Sequence, residues 1–336
     1  MQNAVIRKLD GKDREEALSL AWSVFLAYEA PDYGRDGVEE FRRSLRDDAY
    51  LAALQVYGAF LADEMAGMIA TRNGGRHIAL FFVREEYQRR GVGRRLLQAA
   101  LENNPFDTLT VNASPYAVPV YRRLGFVGTD AEQVVNGLRF TPMEMRVREA
   151  GDVEEFTAYH AVTDRPMRAG QTILFDDAHH SGVYTRVMEK LSAVEDIYAH
   201  PGRYTAAGLE HHTAVALREL ALEEVRRSHY AQYPSRLNCL YVTATAEEAE
   251  KWAGLFAQWG RPTYHIVKLR VCGRRFVGDA NNCFDATPDR ARNLALADRY
   301  WKNEPNPSGE PPIWEILADG KIEVVDILKE IRRNIG

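Results

Sequence analysis

The chain has 336 residues, 46% of them apolar and 27% charged, with a formal net charge of −5. That is enough for two hydrophobic cores or one large one, and too acidic for a broadly basic nucleic-acid binder. No apolar run reaches the roughly 18 residues of a membrane span, and the charged start lacks the apolar stretch of a signal peptide. The cysteines, Cys239, Cys272 and Cys283, are sparse, which argues against a disulfide framework and for a reducing, cytoplasmic setting.

The pattern predicts an α/β (α+β) chain of two domains, 1–148 and 153–336, that meet at a short polar junction. The net negative charge resides beyond Arg148. Asp13 with Glu16 reads as a capping box, and Ala17, Leu20, Ala21, Val24 and Phe25 recur at helical spacing. Residues 58–61 and 66–71 read as strands joined by a turn at Asp63-Glu64, and 78–83 as a strongly apolar strand. A helix with Val92, Leu96, Leu97, Ala100 and Leu101 on one face follows. Residues 108–111 are the next strand, and 117–124 a short helix ending at Gly125.

Between the apolar strand and the helix at Val92 lies the run Arg84-Glu85-Glu86-Tyr87-Gln88-Arg89-Arg90-Gly91-Val92-Gly93-Arg94. Gly91 and Gly93 remove side chains where free N–H groups face outward at a helix start, a ready phosphate site. Arg89, Arg90, Arg94 and Arg95 add charge-assisted donors for a polyphosphate. The segment Gln88-Arg89-Arg90-Gly91-Val92-Gly93 resembles the acetyl-CoA pyrophosphate loop of the GNAT N-acetyltransferases. Val111-Asn112-Ala113-Ser114, followed by Tyr121-Arg122-Arg123-Leu124-Gly125-Phe126, is similar to the strand and helix that flank the pantetheine arm in that family.

The resemblance covers about residues 1–147 and implies a mixed-sheet acetyltransferase. Pantetheine would pair with the strand around Phe81 and Val83 and pass near Asn112. The phosphates would rest on Gln88 to Arg94. A strand N–H near Val83 would polarise the thioester, and an amine would attack it directly. Tyr121 would protonate the departing thiolate. The general base is open. The strand before the loop lacks a carboxylate, and Glu29 and His77 are the candidates. The acceptor site is expected from residues 25–50 and 133–141, with Tyr28, Glu29, Asp32, Tyr33, Tyr50, Gln133, Asn136 and Arg139. Aromatics beside carboxylates suit a small cationic amine. The acceptor is a small-molecule amine or a protein; no nucleic-acid or membrane partner is expected, and oligomeric state stays open.

In the second half, residues 156–162 read as a strand containing His160. Residues 213–227 form a helix and 238–243 a strand. Thr245 and Glu248 cap a helix bearing Trp252, and residues 264–271 are a strand. Residues 313–317 and 322–328 read as an antiparallel pair joined at Asp319-Gly320. His160, Tyr241 and Glu315 each interrupt an apolar strand. Together with Trp252, eleven positions after Tyr241, they resemble the ADP-ribosyltransferase fold.

That resemblance implies NAD as a further cofactor. Tyr241 and Trp252 would sandwich nicotinamide, His160 would bond its ribose, and Glu315 would stabilise an oxocarbenium-like centre. Ala161, Ala249 and Ile313 depart from that family's pattern, so a degenerate binding module stays open beside an NAD-consuming transferase. His179-His180 and His211-His212 lack a recognised ligand spacing, so no metal site is expected. Residues 278–285 read as a connector loop containing Cys283.

Overall fold

The computed structural model describes residues 4–102, 104–149, 151–163, 165–176, 178–261 and 263–331. The chain divides into two compact units, Met1–Glu149 and Ala150–Gly336. That division falls inside the expected junction at 148–153, of which position 150 lies outside the described residues.

In chain order the first unit comprises β1 (Val5–Lys8), α1 (Gly11–Tyr28), α2 (Arg35–Ser44), α3 (Asp48–Ala52), β2 (Gln55–Leu61), β3 (Glu64–Arg72) and β4 (His77–Val83). It continues with α4 (Val92–Glu102), β5 (Thr108–Ala113), α5 (Val118–Leu124), β6 (Val127–Gly128), β7 (Gln133–Val135) and β8 (Leu138–Arg146). The sheet runs β1-β2-β3-β4-β5-β8-β6, with β7 also on β8. Ala17, Leu20, Ala21 and Phe25 of α1 bury against Leu80 and Phe82 on one face. Val92, Leu96, Leu97 and Ala100 of α4 cover the other, against Ile69 and Ile78. The Asp13/Glu16 capping box is not formed. The helix starts earlier, at Gly11, and Asp13 lies inside the first turn with its carboxylate 2.5 Å from Arg7.

One irregularity organises this unit. In the β3–β4 ladder Ile78 faces Thr71 and Leu80 faces Ala70, so Ala79 is an extra residue. Such a bulge reverses the alternation and bends the strand. Ile78 therefore joins the α4-side core, whereas Leu80 and Phe82 join the α1-side core. The parallel ladder from β4 to β5 holds only at His77↔Thr110 and Ile78↔Val111. Beyond the bulge the two strands part, and the sheet is split between Ala79–Val83 and the end of β5.

The second unit contains β9 (Glu154–Val162), β10 (Thr172–Phe175), α6 (Gly182–Met188), α7 (Leu191–Ala199), α8 (His211–His229), β11 (Leu240–Val242) and α9 (Ala246–Gln258). Then come β12 (His265–Gly273), β13 (Arg275–Asp279), α10 (Arg290–Lys302), β14 (Trp314–Ala318) and β15 (Gly320–Glu330). Two antiparallel sheets result, β10-β15-β12-β9 and β11-β14-β13. The expected capping box forms: Glu248 N–H donates to Thr245 Oγ1 at 3.2 Å, and Thr245 N–H donates to Glu248 Oε2 at 3.3 Å.

The expected hairpin at Asp319-Gly320 does not form. β14 pairs with β11 and β13, whereas β15 pairs with β12 and β10. Both β12→β13 and β14→β15 cross from one sheet to the other at the same place. The Cys272↔Lys321 pairing gives way to Arg275↔Ala318. Gly320 takes φ +80°, and any Cβ on Gly273 would strike the Asp319 carbonyl, so the corner admits only small residues there. Arg274 clamps it, with its N–H and Nε each 2.9 Å from the Asp319 carboxylate. The expected 278–285 connector is also revised. Gly278 and Asp279 belong to β13, and the Asp279 carboxylate accepts the N–H groups of Asn281 and Ile313, both at 3.0 Å.

Candidate active site

The β4–α4 connection stands at the split in the first sheet. Gln88 Nε2 donates to the Val83 carbonyl at 3.1 Å, tying the loop to the strand end. Arg89 and Gly91 then take φ +57° and +83°, which turns the chain into α4. The first helical bond runs from Arg95 N–H to the Gly91 carbonyl at 3.2 Å. The N–H groups of Val92, Gly93 and Arg94 therefore open the helix without carbonyl partners inside it. A Cβ on Gly93 would sit 3.4 Å from the Phe81 ring, so this turn lies directly against β4. Arg89, Arg90 and Arg94 are exposed and form no ion pair among the described residues. Asn112 projects to solvent from β5, beyond the point where β4 has left it.

Two titratable side chains, Tyr121 and Glu29, lie at the same split. Tyr121 of α5 is 6% exposed, with its ring 6.1 Å from Phe81 and 5.2 Å from Phe126. Burial, and then the charge of Glu29, hold its hydroxyl far above the usual tyrosine range, so it keeps its proton at neutral pH. Glu29 ends α1. Burial raises its carboxyl to about 7, the nearby Ser114 hydroxyl opposes the rise, and Asp32 adds to it. A carboxylate at about 7 is poised to take protons near neutrality. Tyr33 stacks on Phe25 at 5.7 Å and donates to the Arg139 carbonyl at 3.0 Å; burial and Glu29 raise its hydroxyl.

The two segments expected around the acceptor do meet. Asn136 and Gly137, at φ +51° and +79°, turn β7 into β8, and that tip presses so closely on Gly37 of α2 that a Cβ on either glycine would clash. Asn136 Nδ2 reaches Glu40 at 3.2 Å, and Arg139 is neutralised by Glu132 at 2.8 Å. Tyr28 and Tyr116 pair at 5.3 Å, while Gln133 is tied to Asp130 at 2.8 Å. His77 and Tyr50 are not part of this set. Both feel Arg72, and His77 lies at the other end of β4, roughly 13 Å along the strand from Phe81, beside which Tyr121 stands. Burial lowers His77 to about 4, and its Nδ1 is 2.8 Å from Thr110 Oγ1. Ser114 had no role in the sequence reading. Its signal is a serine directly after a buried strand and three residues before a helical turn.

In the second unit Glu315 is 6% exposed, and its Oε1 lies 2.5 Å from Arg236 Nη1 and 2.8 Å from the Tyr300 hydroxyl. Arg236 also binds Glu219 at 2.8 Å. Burial opposes ionisation of Glu219, but Arg236 and Arg218 outweigh it and hold the carboxyl below its usual range. Cys283 Sγ is 3.8 Å from Glu315 Oε1, and burial pushes its thiol up to about 12. His160 Nδ1 is 2.7 Å from the Tyr241 carbonyl, and Trp252 Nε1 donates to the Trp314 carbonyl at 3.2 Å. Arg236 lies over the Tyr241 ring at 5.2 Å. The four candidates are thus linked through direct neighbours, with Glu315 committed to a buried ion cluster.

His179 pairs with Asp176, and His180 bonds Asn238 and stacks on Tyr184. Among the described residues no group of three or more His, Cys, Asp or Glu could hold a metal, and no helix is long and apolar enough to cross a membrane.

Residues 29–147 match the acetyltransferase (GNAT) domain family, and residues 158–330, just over half of the chain, match the family described as protein of unknown function (DUF2441). The chain is similar to the uncharacterized N-acetyltransferase YafP of Escherichia coli (strain K12). The two are 34% identical over 99 residues, which is 29% of this chain and 63% of the relative's length. Similar solved structures include a GCN5-related N-acetyltransferase from Rhodopseudomonas palustris, at 24% identity and TM-score 0.39, covering 44% of this chain and 98% of that one. Another is the PaiA N-acetyltransferase from Thermoplasma acidophilum in complex with coenzyme A, at 20% identity and TM-score 0.36, covering 43% and 98%.

Proposed function

We propose that this chain, which belongs to the DUF2441 family and carries a GNAT acetyltransferase domain at residues 29–147, transfers an acetyl group from acetyl-CoA to an amine. The observation that carries the reading is the coincidence, at one split in the sheet, of the Gly91/Gly93 turn with Tyr121 and Glu29. The turn suits a diphosphate. It has φ +83° at Gly91, open N–H groups at the start of α4, and exposed arginines that form no ion pair among the described residues.

Acetyl-CoA would supply the thioester acyl donor. Arg89, Arg90, Arg94 and the first-turn N–H groups would hold its phosphates. Backbone groups of β4 between Ala79 and Val83, free of β5, would pair with the pantetheine arm. An N–H near Val83 would stabilise charge developing on the acyl oxygen. Glu29 would take the proton of an arriving ammonium, and Tyr121 would give its proton to the departing sulfur. Tyr28, Tyr116 and Asp32 beside Glu29 favour a cationic amine over an anionic acceptor.

The test is acetyl-CoA-dependent acetylation across an amine panel, with thermal shift by acetyl-CoA. Stabilisation by mass action and loss of at least ~100-fold in kcat for Tyr121→Phe are expected. An unshifted midpoint at millimolar acetyl-CoA refutes coenzyme binding, and an unchanged Tyr121→Phe refutes the acid assignment.

A second reading takes residues 153–336 as ADP-ribosyltransferase-like. The linkage of His160, Tyr241, Trp252 and Glu315 through shared neighbours favours it. The burial of Glu315 against Arg236 opposes it. NAD-dependent nicotinamide release that Glu315→Ala abolishes supports this chemistry. Binding without release supports a module that holds NAD.

A further inference from the structure

The two walls of the candidate acceptor space are held in place, and they touch. On one side Phe41 pins α2 to the core, stacked on Phe25 at 4.0 Å and edge-on to Phe82 at 5.9 Å. On the other, β8 pairs with β5 from Thr108↔Arg146 to Ala113↔Thr141. The β7–β8 connection is Asn136-Gly137, both at positive φ, a tight turn that matches the hairpin twist. Its tip closes on α2. A Cβ on Gly37 would lie 2.3 Å from the Gly137 carbonyl oxygen, and one on Gly137 would lie 2.6 Å from the Gly37 nitrogen. Two backbones therefore meet with no side chain between them. Around this contact Asn136 Nδ2 donates to Glu40 at 3.2 Å. The Tyr33 hydroxyl donates to the Arg139 carbonyl at 3.0 Å, and Arg139 Nη1 to the Asp32 carbonyl at 3.5 Å. An extended polypeptide paired between two backbones needs them roughly 10 Å apart, about 4.8 Å on each side. The clasp leaves no such gap.

We infer that the Gly37–Gly137 clasp sets acceptor specificity, and that the acceptor is a small-molecule amine, not a polypeptide. The inference rests on the acetyl-transfer reading and narrows its acceptor. With the hairpin seated on α2, the groove between α1–α2 and β5–β8 is bridged. A compact amine fits inside a bridged groove. A chain that must run through it needs the clasp open. Ring stacking holds one arm and a strand ladder the other, so the open form is a minor state, on the order of 1%. A polypeptide's apparent affinity falls by that fraction, about 100-fold. Glycine at position 37 is what lets the clasp shut, since any side chain there pushes the tip away.

The test uses the full-length protein, saturating acetyl-CoA, a panel of small primary amines and two unstructured peptides. One peptide offers a free N-terminal amine, the other a central lysine. In wild type, kcat/KM for either peptide should lie about 100-fold below that of the best small amine. Gly37→Ala forces the tip off while favouring α2, because alanine is the better helix former and position 37 needs no positive φ. It should narrow the ratio at least about tenfold by raising the peptide rate. Glu40→Ala, which removes only the bond from Asn136, should narrow it less. A wild-type enzyme that acetylates either peptide within about tenfold of the best small amine overturns the inference and leaves acetyl transfer standing. A ratio that a folded Gly37→Ala leaves in place overturns the role of the clasp. Should that variant not fold, the wild-type ratio decides alone. Acetyl-CoA binding with no amine or peptide acetylated overturns the proposed function and this inference together.

Discussion

Glu29→Gln should stabilise the protein above neutrality while removing the proposed base. Burial moves the Glu29 carboxyl from 4.5 to about 7. In the unfolded chain it ionises at the lower value, in the folded chain at the higher one. The folded state therefore holds an extra proton between these values, and stability falls as pH rises from 4.5 to 7. The gap corresponds to at most about 3 kcal/mol, reduced to about 2–3 kcal/mol because Glu29 keeps some contact with solvent. Glutamine has the same shape and no charge to bury. The advantage of Glu29→Gln should thus be absent at pH 4.5, grow through pH 6, and reach its full size above pH 7. In a unit of this length that is roughly 4–12 °C in the unfolding midpoint. Thermal unfolding of both proteins at pH 4.5, 6 and 8 gives the double difference, in which any pH-independent cost of the amide cancels. A midpoint offset that stays constant across this range would falsify the buried-carboxyl argument. Loss of acetyl transfer in the more stable variant would mark Glu29 as strain retained for function.

Gly91→Ala meets no steric obstacle but must hold φ +83°, so it should cost about 1–2 kcal/mol and weaken acetyl-CoA binding about tenfold, read by calorimetry. Removing Arg89 and Arg90 together should leave stability within about 0.5 kcal/mol and flatten the salt dependence of acetyl-CoA affinity, since both are exposed and neither forms an ion pair among the described residues. Arg236→Ala leaves Glu219 and Glu315 buried without their shared cation. It should lower stability by about 3–5 kcal/mol in denaturant unfolding, and a loss under 1 kcal/mol would show that water already reaches the cluster. Gly320→Val, at φ +80° beside the Cys272 carbonyl, should destabilise the second unit by more than 2 kcal/mol, measured in the same way.

Local patterns carried much of the first unit. The period of α1, the apolar run of β4 and the glycines after it depend on near neighbours only, and each element lies where its residues predicted. The Thr245/Glu248 box was equally legible, because both partners lie within one turn. Asp13/Glu16 misled for the opposite reason: the same spacing recurs inside a helix, and only the chain direction at Gly11 decides where the first turn begins. The Asn136-Gly137 turn could have been read from its residue types. Its docking on Gly37 could not, since nothing near either glycine in sequence records the other.

The sequence by itself determined the strand–loop–helix that suits a diphosphate and the tyrosine on the short helix. The tertiary structure alone decided which of the two candidate bases stands beside Tyr121. Glu29 and His77 were equal candidates by residue type, and folding brought Glu29 to Tyr121 while sending His77 to the far end of β4. It also decided that Asp319-Gly320 is a corner between two sheets. A turn residue specifies that the backbone bends; which ladder each arm joins is set by partners dozens of residues away, through hydrogen bonds and glycine contacts that no local window contains.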